Sequence, residues 1–147
     1  MKTISFRDRG TRNFQKNLTN RRGDMLIEAV TLHRRFPYAL LLGLLFLDKD
    51  VRADDTPRRR STFQNAFPRL RLFTGRTDPA GRDEQFERLY LLLVDANPFN
   101  PTLEAYHVSD SSQPMPFDDV MREAIQLVAE CNFDLYEEGA TGNIRKT

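Results

Sequence analysis

Residues 38–47 read YALLLGLLFL and residues 89–95 read LYLLLVD. These two runs decide the fold class. Each has the length of a strand and is apolar without alternation, the pattern of a strand covered on both faces. Periodicity alone does not separate the first run from a buried helix. At ten residues it is too short to cross a bilayer, which needs about 20. Gly43 within it marks a point of close packing.

Outward from these runs the chain alternates between helical and extended patterns. Residues 1–6 (MKTISF) read as the end of a strand, because Thr, Ile and Phe suit a pleated surface. A polar, basic loop follows over residues 7–18. A helix is expected over Asn20–Arg35, with Leu26, Ala29, Val30 and His33 as its apolar stripe and Pro37 as its stop. Asp48–Arg60 reads as a charged loop containing three consecutive arginines. Ser61 is a good cap for a second helix over Thr62–Phe73, which Pro68 should kink or break. Asp83–Arg88 reads as a short helix. Thr102–Val108 alternates and should pair with Leu89–Asp95 as a hairpin across the turn Asn97–Pro101. Pro116–Asn132 is the clearest helix, with Asp118 and Asp119 at its positive end. The tail, residues 138–147, is expected to fray. Strands alternating with helices give an α/β domain, and 147 residues fit one such domain, 1–147.

The net charge of +1 says little about partners, but its distribution is polar. Residues 1–35 carry nine Lys or Arg against Asp8, Asp24 and Glu28, a net of +6, so the segment 1–36 is strongly basic. Residues 112–138 carry seven acids and Arg122, a net of −6, so the helix at about 116–132 and its surroundings are acidic. Phosphate-loop spacing is missing: Gly75 and Gly81 are not followed by Lys. One cysteine and two distant histidines, His33 and His107, do not make a zinc site. His33 is expected at the surface or a rim, and Cys131, among Val128, Ala129 and Phe133, as a buried inert thiol. A lone cysteine and the missing signal pattern fit the cytoplasm. Asp54, Asp55, Asp78, Asp83 and Glu84 are expected to be solvated loop acids.

The basic segment carries the functional expectation. Arg7, Arg9, Arg12, Lys16, Arg21 and Arg22 are interleaved with Asn13, Asn17 and Asn20. Guanidinium forks match phosphate oxygens, and Asn side chains reach base edges or sugars. These nine residues form the expected DNA-binding set. Six phosphate contacts predict a steep loss of affinity with salt, a logarithmic slope of about −0.9 per contact.

KTISF (2–6) followed by GTRNFQKNLTNRRGDMLIEAVTLHRRFPYALLLGLLFL (10–47) resembles the middle of type II restriction endonucleases of the PD-(D/E)xK class. The resemblance lies in order and pattern: a catalytic strand ending in Glu-x-Lys, a polar loop, a helix and an apolar strand. It places Lys2 at the catalytic lysine, residues 13–22 in the polar loop, 24–35 in the helix and 38–47 in the next strand. It implies a mixed sheet flanked by helices, duplex DNA as partner, and hydrolysis of phosphodiesters with Mg²⁺. A homodimer is compatible with it, and a membrane is not expected. In the family a Pro-Asp pair and the Glu of Glu-x-Lys hold the metal. Met1 stands between the place of that Glu and Lys2, so the acids have no counterparts and the N-terminal part of the core is expected to be missing. Glu28 on the helix is the candidate stand-in, and no metal ligand set is assigned. The expectation is a truncated or degenerate nuclease that binds DNA without cutting it. A fragment of a working nuclease whose start lies upstream is the related reading. The alternative is a non-enzymatic interaction module with a basic face and an acidic helix.

Overall fold

A computed structural model describes the backbone of residues 2–3 and the whole of residues 13–77 and 79–147. The two apolar runs become neighbouring parallel strands: β2 is Leu42–Asp48 and β3 is Arg88–Asp95, in the register Leu45↔Leu91. The two-residue strand β1, Lys2–Thr3, lies parallel outside β2, and β4, Thr102–His107, lies antiparallel on the other side of β3. The result is a mixed sheet in the order β1-β2-β3-β4. The hairpin of β3 and β4 follows the sequence pattern.

Alternation along the strands sorts their side chains onto two faces. Leu45, Leu47, Leu89, Leu91 and Leu93 face one side, with Tyr106. Tyr90, Leu92 and Ala105 face the other, with half-buried Leu42, Leu44 and Phe46. Both faces are covered, which is why β3 is apolar at consecutive positions. Leu41 precedes β2 and packs at the edge of the first face. At Gly43 a methyl group would approach Leu89 Cδ1 to 2.4 Å and Met25 Cε to 3.1 Å, so the glycine marks the close approach of a helix to β2.

That helix, α1, spans Phe14–Arg35 and starts well before the expected Asn20. Its first turns are polar in composition, yet Phe14 and Leu18 are buried and extend the contact surface made by Met25 and Ala29. Tertiary burial converts what composition reads as loop into helix. The buried stripe runs through Phe14, Leu18, Met25, Ala29 and His33, and Leu26 and Val30 are half-buried.

The second helix, α2, spans Thr62–Leu70 beside α1 and tightens into a 3₁₀ turn over Arg71–Phe73. Ser61 caps it as expected, its Oγ accepting from Gln64 N at 3.2 Å. Pro68 neither breaks the helix nor stops it there; Pro68 is exposed, where water can replace the lost backbone bond. Asp83–Arg88 forms no helix: it turns at Asp83–Glu84 and enters β3 at Arg88, and Phe86 between them bonds in extended fashion to Phe73 O and Arg76 N. On the opposite face lies α3, Phe117–Cys131, burying Val120 and Leu127. The tail does not fray: Tyr136–Glu138 (β5) and Ile144–Lys146 (β6) form an antiparallel hairpin, with Gly142 at φ +70° in its turn.

Two expectations on single residues are overturned. Cys131 is exposed, because it ends α3 on the solvent side. His33 is buried at 1% exposure, because the end of α1 packs onto the strand entrances. There Arg76 Nη1 lies 3.1 Å from Glu87 Oε1, Leu41 N donates to Glu87 Oε2 at 2.6 Å, and His33 Nδ1 is 2.8 Å from Asp83 O.

Leu91 is fully buried at the centre of the sheet. Leu91→Ala should lower unfolding stability by about 2–5 kcal/mol, against a domain total of about 5–15 kcal/mol. Urea denaturation followed by circular dichroism measures it, and a loss under about 1 kcal/mol would contradict this packing.

Candidate nucleic-acid interface

The first turns of α1 present most of the expected DNA-binding residues that are described. Asn13 stands at the N-cap with no side-chain capping bond, and the first turn of α1 holds no acid, so among the described residues no carboxylate of that turn offsets the positive end of the helix. Positions 13, 17, 20, 21 and 24 recur at helical spacing along one flank. Asn17, Asn20, Arg21 and Asp24 line an open cleft of about 550 Å³. Lys16 is exposed beside it. Arg21 pairs with Asp24 at 3.3 Å, and both side chains are nearly half exposed, so the pair contributes little. Arg22 lies on the other flank, toward α2, with its guanidinium carbon 6.0 Å from the centre of the Phe73 ring and its Nε buried without a hydrogen-bond partner. Arg7, Arg9 and Arg12 lie outside the described residues.

The structure adds a basic element that charge counting by chain thirds overlooks. From Thr56 to Thr77 the chain holds Arg58, Arg59, Arg60, Arg69, Arg71 and Arg76 and no acid. Thr56 and Arg59 exchange backbone hydrogen bonds of 2.9 and 3.0 Å, closing a tight turn over Pro57 and Arg58. Arg59 points inward. Its Nη2 donates to the backbone oxygen and carboxylate of Asp54, and its Nη1 lies 3.3 Å from Gln15 Oε1 on α1. Asn65 Nδ2 of α2 reaches the same Gln15 oxygen at 3.4 Å. Gln15 thus joins α1, the arginine turn and α2. Asp54 is not the solvated acid expected of it: its side chain is 4% exposed, accepting from Thr62 N at 2.6 Å and from the Thr62 hydroxyl.

The two residues given catalytic roles by resemblance are placed differently. In β1, Lys2 stands in register with Leu45, ahead of α1, and its side chain is outside the described atoms. Glu28 is exposed on α1 at the rim of a groove of about 150 Å³ whose other walls include Met25, Leu32, Leu41, Leu42, Leu44 and Phe86. Mg²⁺ demands a near-octahedral set of oxygens. Among the described residues Glu28 is the one carboxylate on this groove, which falls short of such a set, and a lysine ammonium is a donor, not a ligand. Among the described residues no group of three His, Cys, Asp or Glu is arranged to hold a metal ion.

The acids gather on the far face. Asp118, Asp119, Glu123 and Glu130 lie on α3, and Asp134, Glu137 and Glu138 follow it. Glu123 accepts from the Tyr90 hydroxyl at 2.5 Å; burial first, and then this carboxylate, hold the Tyr90 proton tightly and push its pKa well up. His107 lines the cleft beside Glu123, and its pKa is lowered, chiefly by burial and further by Arg88, against the opposing pull of Glu123. No helix among the described residues is long and apolar enough to cross a membrane. No protein-family model, curated protein or solved structure matches the chain.

Asp54 anchors the turn that carries the arginines. Asp54→Ala leaves the Thr62 N–H without its acceptor and should cost about 1–3 kcal/mol. The expected result is a lower urea midpoint with an unchanged slope; an unchanged midpoint would remove Asp54 from the architecture of this face.

Proposed function

We propose that the chain is a restriction-endonuclease-like protein that binds duplex DNA through the exposed flank of α1 and does not hydrolyse it with the residues it carries at Lys2 and Glu28. The observation that carries this reading is the grouping of Asn13, Lys16, Asn17, Asn20 and Arg21 on one flank at the start of α1, whose first turn holds no acid. Such a flank offers phosphate-binding cations and amide groups able to reach base edges, beside a positive helix end. The parallel order strand, helix, strand in β1, α1 and β2 is compatible with the order on which the resemblance rests. Metal-assisted hydrolysis needs oxygen ligands that Lys2 and Glu28 do not supply.

A second reading draws on the opposite face. Phe133, Leu135, Tyr136 and Ile144 are exposed among Asp134, Glu137 and Glu138. An apolar patch rimmed by acids suits a basic protein partner. A salt-dependent DNA complex separates the readings, since an acidic surface repels DNA.

Non-specific duplex binding is expected with a dissociation constant on the order of 10⁻⁴–10⁻⁶ M at physiological salt. Lys16→Ala with Arg21→Ala should weaken it and flatten the salt dependence by about one unit for each cation removed. Supercoiled plasmid incubated with Mg²⁺ or Mn²⁺ should stay intact. Nicking that disappears in Lys2→Ala would overturn the non-hydrolytic part; absence of any duplex binding would overturn the whole.

A further inference from the structure

We infer that the exposed arginines of the run from Thr56 to Thr77, namely Arg58, Arg60, Arg69 and Arg71, form a second phosphate-contacting arm, set beside α1 by Gln15, so that a duplex is held by two neighbouring elements rather than one. The inference rests on the DNA-binding reading above and extends it to residues which that reading does not use.

The turn Thr56–Arg59 divides its arginines by role. Arg59 is committed inward to Asp54 and Gln15 and acts as the bolt that holds the turn against α1. Arg58 and Arg60, on either side of it, are exposed and have no ion pair among the described residues. Their guanidinium forks are therefore presented on a tight turn fixed at its base, which lowers the ordering cost of gripping a ligand.

The same surface continues along α2. Asn65 meets Gln15, so the flank of α2 through Asn65 faces α1. Arg69 is one helical turn further along that flank, and Arg71 follows in the 3₁₀ turn; both are exposed. The α1 side contributes Lys16 and, over Phe73, Arg22. Within the run Arg59 is paired with Asp54 and buried Arg76 with Glu87, and Asp55 lines the same cleft as Arg58 and Arg60, which leaves Arg58, Arg60, Arg69 and Arg71 as the exposed cations of this side. Crowded cations repel one another in the isolated protein, and a regularly spaced polyanion relieves that repulsion. Guanidinium forks pair with phosphodiester oxygens, and the amides of Asn17 and Asn20 on α1 are of the kind that reaches sugars and base edges, a combination that favours a nucleic acid over a carboxylate-bearing protein surface or a lipid headgroup layer.

The test is fluorescence anisotropy with a 20-base-pair labelled duplex, titrated at several salt concentrations from about 50 to 300 mM, the range in which backbone contacts dominate. The wild type is compared with Arg58→Ala/Arg60→Ala, Arg69→Ala/Arg71→Ala and Lys16→Ala/Arg21→Ala. Thermal melts establish that each variant folds, as these exposed positions allow. Each of the two α2-side pairs should raise the dissociation constant by roughly tenfold at 200 mM salt and make the logarithmic salt slope shallower by about 1.8, two phosphates at ~0.9 each. Arg58→Lys/Arg60→Lys should retain the slope. If both α2-side pairs bind like the wild type while Lys16→Ala/Arg21→Ala binds less, the arm is refuted and the DNA-binding reading stands. If the wild type does not bind duplex at all, both fall. Retention on vesicles containing phosphatidylserine, with no duplex binding and with loss in the same variants, would assign the arm to a membrane surface and overturn the inference.

Discussion

The parallel pairing of β2 with β3 constrains everything else in the molecule. From Leu42 to Leu47 and from Leu89 to Val94 neither strand carries a charged side chain, and their alternating residues point to both faces of the sheet. A sheet of this kind must be covered twice, because leaving either face wet would expose a row of leucines. α1 and α2 cover the face of Leu45 and Leu91, and α3 covers the face of Tyr90 and Leu92. Gly43 sets how closely α1 can approach, since any side chain there would meet Leu89 and Met25.

Two-sided covering also separates the charge. Polar surface on α1 and α2 turns away from the sheet on one side, and that of α3 on the other. Arginines concentrate in the first layer and carboxylates in the second, so a nearly neutral chain presents a basic side and an acidic side. Within the basic layer one polar contact set, centred on Gln15, fixes α1, the arginine turn and α2 against each other. Asp54 completes it by holding both Arg59 and the first residue of α2. Gln15 enters this set through its Oε1 alone, whereas the carboxylate of Asp54 is engaged by Arg59 and by both the N–H and the hydroxyl of Thr62.

How far this was legible in the sequence depends on range. Where a pattern is local the sequence suffices: the apolar runs around Leu45 and Leu91, the Ser61 cap, the hairpin partner of β3 and the acid-led start of α3 all follow from nearby residues. Where the deciding contact is distant it does not. Phe14 and Leu18 look like apolar residues stranded in a basic loop until the sheet buries them and the helix grows back to residue 14. His33 reads as a surface residue because Asp83 and Glu87, which enclose it, are some fifty residues away. Asp54 reads as solvated because its partners Arg59 and Thr62 become partners only when the turn closes. The arginines at 58–60 are visible in the sequence, but nothing local says that Arg59 reaches Gln15 on α1. The placement of Lys2 by resemblance rests on order along the chain, and the groove at Glu28 contributes one carboxylate where a metal would need several oxygens.

The central claim is that DNA meets the layer of α1 and α2 and not the layer of α3. Hydrogen–deuterium exchange of the protein with and without excess duplex, read by mass spectrometry, addresses it directly. The account predicts slowed exchange in peptides covering residues 13–24 and 56–71 and unchanged exchange over 117–138. Protection confined to residues 117–138, with 13–24 and 56–71 exchanging as in the free protein, would contradict it.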